Sequence, residues 1–159
     1  MIIVQIIGGL GNQMFQYAYA KVLEQKGHEV KIDISAFDMY KLHGGYQLDR
    51  YNISLQASLV EENERYYSTM LLSKILQKLK ISNSKLIKEK SLLFDNNLLD
   101  VKDENYIIGY FQCEKYFKNI RNILLKEFII KQEPSNYTKE IKQKIKKSQN
   151  SCSLHIRRG

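Results

Sequence analysis

An α/β fold on a parallel sheet is what this sequence predicts, and three observations near the amino terminus predict it. An apolar run, Ile2 to Ile7, is interrupted only by Gln5, as in a strand buried on both faces. Gly8, Gly9 and Gly11 follow, and a helical pattern begins at once after Asn12. Glu29 to Ile34 then alternates, with Val30, Ile32 and Ile34 one way and Lys31 and Asp33 the other. Strand, helix and strand at this spacing form a Rossmann-like βαβ unit with a right-handed crossover.

The glycines between strand and helix allow a tight reversal, and a ligand can approach where no Cβ stands. Gly9 or Gly11 is expected to need such a conformation or approach. A helix start also leaves backbone N–H groups unpaired with partial positive charge, which suits an anion. From the residues alone two readings stand. One is a turn without a ligand. The other is a dinucleotide fingerprint, with Gly9 and Gly11 as its first glycines and Asp33 at a suitable distance for a ribose contact. Met14 is too large for the third small position of that motif. Asp33 reads more readily as a plain strand-end residue.

Residues 13–26 fit an amphipathic helix, with Met14, Ala18 and Val22 on one line, Phe15, Tyr19 and Leu23 on the next, and Gly27 placed to end it. Residues 35–58 read as irregular, with a turn at Gly44-Gly45 and His43 as a surface-loop histidine. Residues 59–80 read as a long helix with Tyr67, Leu71, Ile75 and Leu79 every four residues and Lys74, Lys78 and Lys80 off that stripe. Such a helix packs on a core or lies on a membrane. Tyr106 to Phe111 is a further strand, and Tyr116 to Phe128 a helix with Tyr116, Phe117, Ile120, Ile123, Leu124 and Phe128 on one face. After Pro134, residues 138–149 form a Lys-rich, mostly solvated helix. Ser151 to Ile156 alternates as a last strand, with Cys152, Leu154 and Ile156 toward the core and Ser153, His155 and Arg157 opposite.

The 159 residues allow one domain, or one domain and the edge of another, and 43% hydrophobic with 26% charged residues is ordinary for a globular chain. Cys113 and Cys152 have no metal or redox spacing and read as buried apolar residues in a reducing compartment. No secretory leader is expected ahead of the first strand, and no stretch reaches the roughly 18–20 apolar residues of a membrane span. A cytoplasmic chain is therefore expected. The net charge of +8 is mostly Lys spread over several helices, with no nucleic-acid module. It reads as solvated surface with a bias toward a peripheral contact on the inner membrane.

Gly8-Gly-Leu-Gly-Asn-Gln-Met-Phe-Gln-Tyr-Ala18 resembles the amino-terminal signature of the α-1,2-fucosyltransferases, glycosyltransferase family 11. Leu48-Asp-Arg-Tyr-Asn-Ile53 and Gly109-Tyr-Phe-Gln-Cys-Glu-Lys-Tyr-Phe117 resemble further stretches of that family. His155-Ile-Arg-Arg-Gly159 is similar to the arginine motif that its members and other fucosyltransferases use on the pyrophosphate of GDP-fucose.

The resemblance implies a GT-B-type glycosyltransferase. Residues 1–150 would be its amino-terminal, acceptor-side domain, and 151–159 the truncated start of the nucleotide-sugar domain. It implies transfer of L-fucose from GDP-fucose to the 2-hydroxyl of a galactoside in lipopolysaccharide O-antigen or oligosaccharide synthesis, with inversion and without a metal. Gly9, Leu10, Gly11 and Asn12 would lie against the donor, with Asn12 donating a hydrogen bond. Arg157 would grip the pyrophosphate through its fork of donors. Arg158 would pair with an acid, and His155 would orient the phosphate or the loop. No residue is marked as the general base. With only about half of a family member present, the chain alone is expected to be inactive. The rival expectations are an NAD-binding oxidoreductase and a non-catalytic fragment.

Overall fold

The computed structural model describes residues 1–39, 44–67, 85–154 and 156. Two compact units divide the chain, Met1–Ile129 and Ile130–Gly159. In the first unit, strand β1 (Ile2–Gln5) leads to helix α1 (Leu10–Gln25), strand β2 (Val30–Asp33) and a single helical turn α2 (Ala36–Met39). Helix α3 (Val60–Tyr67), strand β3 (Lys85–Lys88), strand β4 (Asn105–Ile108) and helix α4 (Arg121–Glu127) complete it.

The four strands form one parallel sheet in the order β2-β1-β4-β3. Ile2 stands beside Val30 on one side and Asn105 on the other, and Val4 beside Ile32 and Ile107. Ile2, Ile3 and Val4 are all fully buried, because β1 is central and both faces of the sheet are covered. That is why Ile2, Ile3 and Val4 are apolar in succession rather than in alternation. β3 lies at the edge, and its sequence, Lys-Leu-Ile-Lys, is short and flanked by lysine, as edge strands often are.

Two helix expectations need correction. α1 begins at Leu10, not after Asn12, so Gly11 lies in its first turn and Gly9 is its N-cap with ordinary φ of −73°. The left-handed glycine is Gly8, at φ +81°. At the other end Gly27 has φ +96°, and N–H bonds from Gly27 to Glu24 and from His28 to Leu23 stop α1 as expected. The expected helix over 116–128 is 3₁₀ turns at Glu114–Tyr116 and Lys118–Ile120, followed by α4. Tertiary packing decides this: Tyr116 is buried, its hydroxyl accepts from Asp95 N at 2.9 Å, and its ring meets Phe111 and Tyr19 edge-on. The expected helix over 59–80 begins as α3, while residues 68–80 lie outside the described residues, as does His43.

The second unit holds helix α5 (Asn136–Lys147), N-capped by Ser135, with no buried residue. No strand is formed at 151–154 or at 156. Cys152 is exposed, and Leu154 and Ile156 are 83% and 73% exposed, against the expectation that they face a core. Alternation buries a face only where a sheet accepts the strand, and the described residues of this unit offer none. Cys113 is half-buried against the core of the first unit. No helix among the described residues is long and apolar enough to cross a membrane.

Candidate functional site

Three loops meet where β1, β2 and β4 end at their carboxyl edge. The sheet order reverses at β1, and in open α/β sheets the crevice outside such a point takes ligands. A cleft of about 300 Å³ opens there, lined by Ile7 and Gly8 after β1, Ala36 and Phe37 after β2, and Tyr110 after β4. Gly8 must be glycine. A Cβ at its φ of +81° would be strained and would stand 2.8 Å from Asn12 Nδ2. At Gly11 nothing lies within 4 Å of a would-be Cβ, so that glycine leaves open space on the first turn of α1.

Two buried glutamines of α1 organise this edge. Gln13 and Gln16 are each 0% exposed and three residues apart, hence on one side of the helix. Gln13 Nε2 donates to Gly8 O at 2.8 Å and to Gly45 O at 2.9 Å, and its Oε1 accepts from Gln47 N at 2.9 Å. Gln16 Oε1 accepts from Ile7 N at 2.9 Å, and its Nε2 donates to Gly109 O at 3.0 Å. At the rim, Gln112 Nε2 donates to Asn12 Oδ1 at 2.6 Å. This turns the Nδ2 donor of Asn12 toward Gly8.

The β4 side is tightly built. Glu89 Oε2 accepts from Tyr110 N at 2.7 Å and Phe111 N at 3.1 Å, which holds Phe111 at the unusual φ of +50°. Phe111 is stacked on Tyr19 with ring centres 3.8 Å apart. A Cβ at Gly109 would fall 2.6 Å from Phe111 and 2.7 Å from Glu89, so this turn also requires glycine. Glu89 Oε1 is buried without a hydrogen-bond partner among the described residues. On the β2 side, the Phe37 ring leans on Tyr46 at 5.7 Å. Burial first, then the charge of Asp49, pushes the Tyr46 phenol up to about 12, so it stays neutral near pH 7.

Of the sequence-predicted site residues, Gly9, Leu10, Gly11 and Asn12 stand together at the start of α1. His155, Arg157 and Arg158 lie outside the described residues. Asp33, the ribose candidate of the dinucleotide reading, is 1% exposed. One of its oxygens accepts from Ser35 N at 2.8 Å and the other from the Tyr106 hydroxyl, so it is bound into the sheet edge. Sequence reasoning assigned no role to Gln13, Gln16, Glu89, Phe37 or Tyr110. Both glutamines stand within the Gly8–Ala18 stretch that carries the resemblance, but they lie off the apolar stripe, so periodicity did not mark them as buried. No group of three or more His, Cys, Asp or Glu forms a metal-ligand set among the described residues.

A parallel sheet with a glycine turn and a helix start at its switch point is the arrangement of a Rossmann-like ligand-binding domain. Among known proteins, the chain is similar to an alpha-1,2-colitosyltransferase of Escherichia coli, 30% identical over 165 residues covering 100% of this chain and 54% of the relative. It is also similar to the O-antigen biosynthesis glycosyltransferase WbnK of Escherichia coli, 28% identical over 173 residues, covering 96% of this chain and 57% of the relative. The chain thus spans just over half the length of these relatives, which are both glycosyltransferases. No protein-family profile and no solved structure matches it.

Proposed function

We propose that this chain is the amino-terminal α/β part of a glycosyltransferase acting in O-antigen or related surface-glycan synthesis, and that the sugar moved is L-fucose from GDP-fucose. The acceptor is the 2-hydroxyl of a galactoside. The oxygen attacks the anomeric carbon from the face opposite GDP, the bond to phosphate breaks, and configuration inverts. Metal is not required in this scheme, because donors from protein neutralise the charge that grows on the leaving pyrophosphate. In this reading the α1 start, from Gly9 to Asn12, offers its unpaired N–H groups to the donor, and Arg157 supplies the guanidinium fork. The observation that carries the reading is an alignment running along this whole chain to a transferase named for an α-1,2 linkage.

That relative's name favours a second donor. Colitose is the 3-deoxy counterpart of L-fucose, so the two sugars differ by one hydroxyl. The test offers the full-length protein GDP-fucose and GDP-colitose in parallel with a β-galactoside, and reads the product linkage by NMR. An α-1,2-linked fucoside is expected. A colitoside alone would reassign the donor, and no glycoside from either would overturn the transferase reading. Arg157→Lys keeps the charge and loses the fork. With a charge-assisted hydrogen bond at about 1.5–3 kcal/mol, transfer should fall about ten- to a hundredfold. GDP titration of that variant, with melting unchanged, checks the assignment.

A further inference from the structure

We propose that Gln13 and Gln16 are positioning residues of the transfer site, which set its three loops in register without touching a ligand; the inference rests on the transferase reading above. Both side chains are wholly buried, and among the described residues neither bonds another side chain. Every described partner is a backbone group of a loop at the carboxyl edge of the sheet. Gln13 joins the glycine turn, through Gly8 O, to the segment at Gly45 and Gln47. Gln16 joins the end of β1, through Ile7 N, to the end of β4, through Gly109 O. Ile7, Gly8 and the residue after Gly109 are three of the five cleft-lining residues.

A primary amide serves this geometry at any pH near neutrality. It donates and accepts at once and carries no charge into a buried place. Gln13 uses two donors and one acceptor, and Gln16 one of each. Leucine in either position fills the space but leaves backbone groups unpaired. The glycine turn and the Tyr110 turn are then free to drift, and a displacement of about 1 Å at a reacting centre costs about a hundredfold in rate.

The test compares the parent full-length protein with Gln16→Leu, Gln16→Glu and Gln13→Glu, each assayed below its melting temperature. Gln16→Leu should lose at least tenfold in kcat, with a smaller change in KM for the donor. Glutamate in its neutral acid form still accepts from Ile7 N and donates to Gly109 O, whereas the carboxylate has no proton for Gly109. Gln16→Glu should therefore approach the parent rate as pH falls and depart from it as pH rises. Gln13→Glu should recover less, because one acid proton cannot serve both Gly8 O and Gly45 O. A folded Gln16→Leu protein with parental kcat would overturn the proposal while leaving the transferase reading intact. If the parent moves neither sugar, amide exchange decides. Faster exchange at Gly8–Asn12 and Tyr110 in Gln16→Leu, with parental exchange near Lys21, supports the positioning role, and parental exchange at those edge amides refutes it.

Discussion

Two stretches of α1 hold their neighbours by opposite means. Toward the cleft, Gln13 and Gln16 bind backbone groups with neutral amides. One turn further along, Tyr17 and Lys21 enter a charged network with Glu127 and Ser54. Lys21 Nζ lies 3.0 Å from Glu127 Oε1, 2.5 Å from Glu24 Oε2 and 2.6 Å from Ser54 Oγ. The Tyr17 hydroxyl donates to Glu127 and accepts from Ser54 N at 2.9 Å. The first set joins the loops around the cleft. The second ties helix α4 and the 54–55 segment to α1, on packing that includes Phe15 against Phe117 and Tyr17 against Phe128. Neutral ties hold their strength across pH, whereas ionised ties are strong only while both partners keep their charge.

Breaking the charged end should have the largest effect on stability. The Lys21 and Glu127 side chains are 6% and 12% exposed, so Glu127→Leu strands a buried ammonium with Glu24 and Ser54 as its remaining partners. Urea unfolding should show a loss of about 3 kcal/mol, the low end for a broken buried pair. A loss under about 1 kcal/mol, the scale of a surface pair, would mean that this network is solvated in practice.

At the cleft end, Gly8→Val forces a β-branched residue into a left-handed conformation and against Asn12. A cost of about 2 kcal/mol is expected, together with loss of transfer in the full-length protein. Unchanged unfolding would deny the turn any strain.

The comparison also predicts which end responds to acid. Burial alone would raise the Glu127 carboxyl, but hydrogen bonds from Tyr17, Lys21 and Ser54 outweigh it and hold the group below its usual value. A carboxyl depressed in the folded state adds stability that is complete above its unfolded pKa of about 4.3 and is lost as pH falls through the lower folded value. Melting curves from pH 7 down to 3 should therefore show a steeper acid loss in the parent than in Glu127→Gln, whereas Gln16→Leu should keep the parental slope. Equal slopes in the parent and Glu127→Gln would remove Glu127 from the acid response.

The smallest effect separates stability from binding. Gly11 is helical and faces open space, so Gly11→Ala should gain at most about 1 kcal/mol from the reduced backbone entropy of the unfolded chain. If a ligand packs on bare backbone there, transfer falls although melting rises. A rise in both would confine the need for glycine to Gly8.

What the sequence determined by itself was the βαβ core. Its signals are local: an apolar run broken only by Gln5 for β1, alternation for β2, a stripe of period near four for α1, and Gly27 to stop it. The position of the candidate edge was legible too, since a glycine cluster between strand and helix is a local event. Tertiary structure decided which glycine bears the positive φ, because α1 starts three residues earlier than its apolar stripe suggests. It decided that Asp33 is spent on Tyr106 and Ser35, a pairing across 73 residues that no periodicity encodes. It decided that residues 116–128 break into shorter turns, since Tyr116 answers to Phe111, Tyr19 and Asp95 more than to helix propensity. The alternation at 151–156 shows the reverse limit. A pattern of period two states what a strand would bury, and only a neighbouring sheet turns it into one. The roles of Gln13, Gln16 and Glu89 belong to the same class. Their chemistry lies in backbone groups of distant loops, and those groups have no identity in sequence until the fold brings them within hydrogen-bond reach.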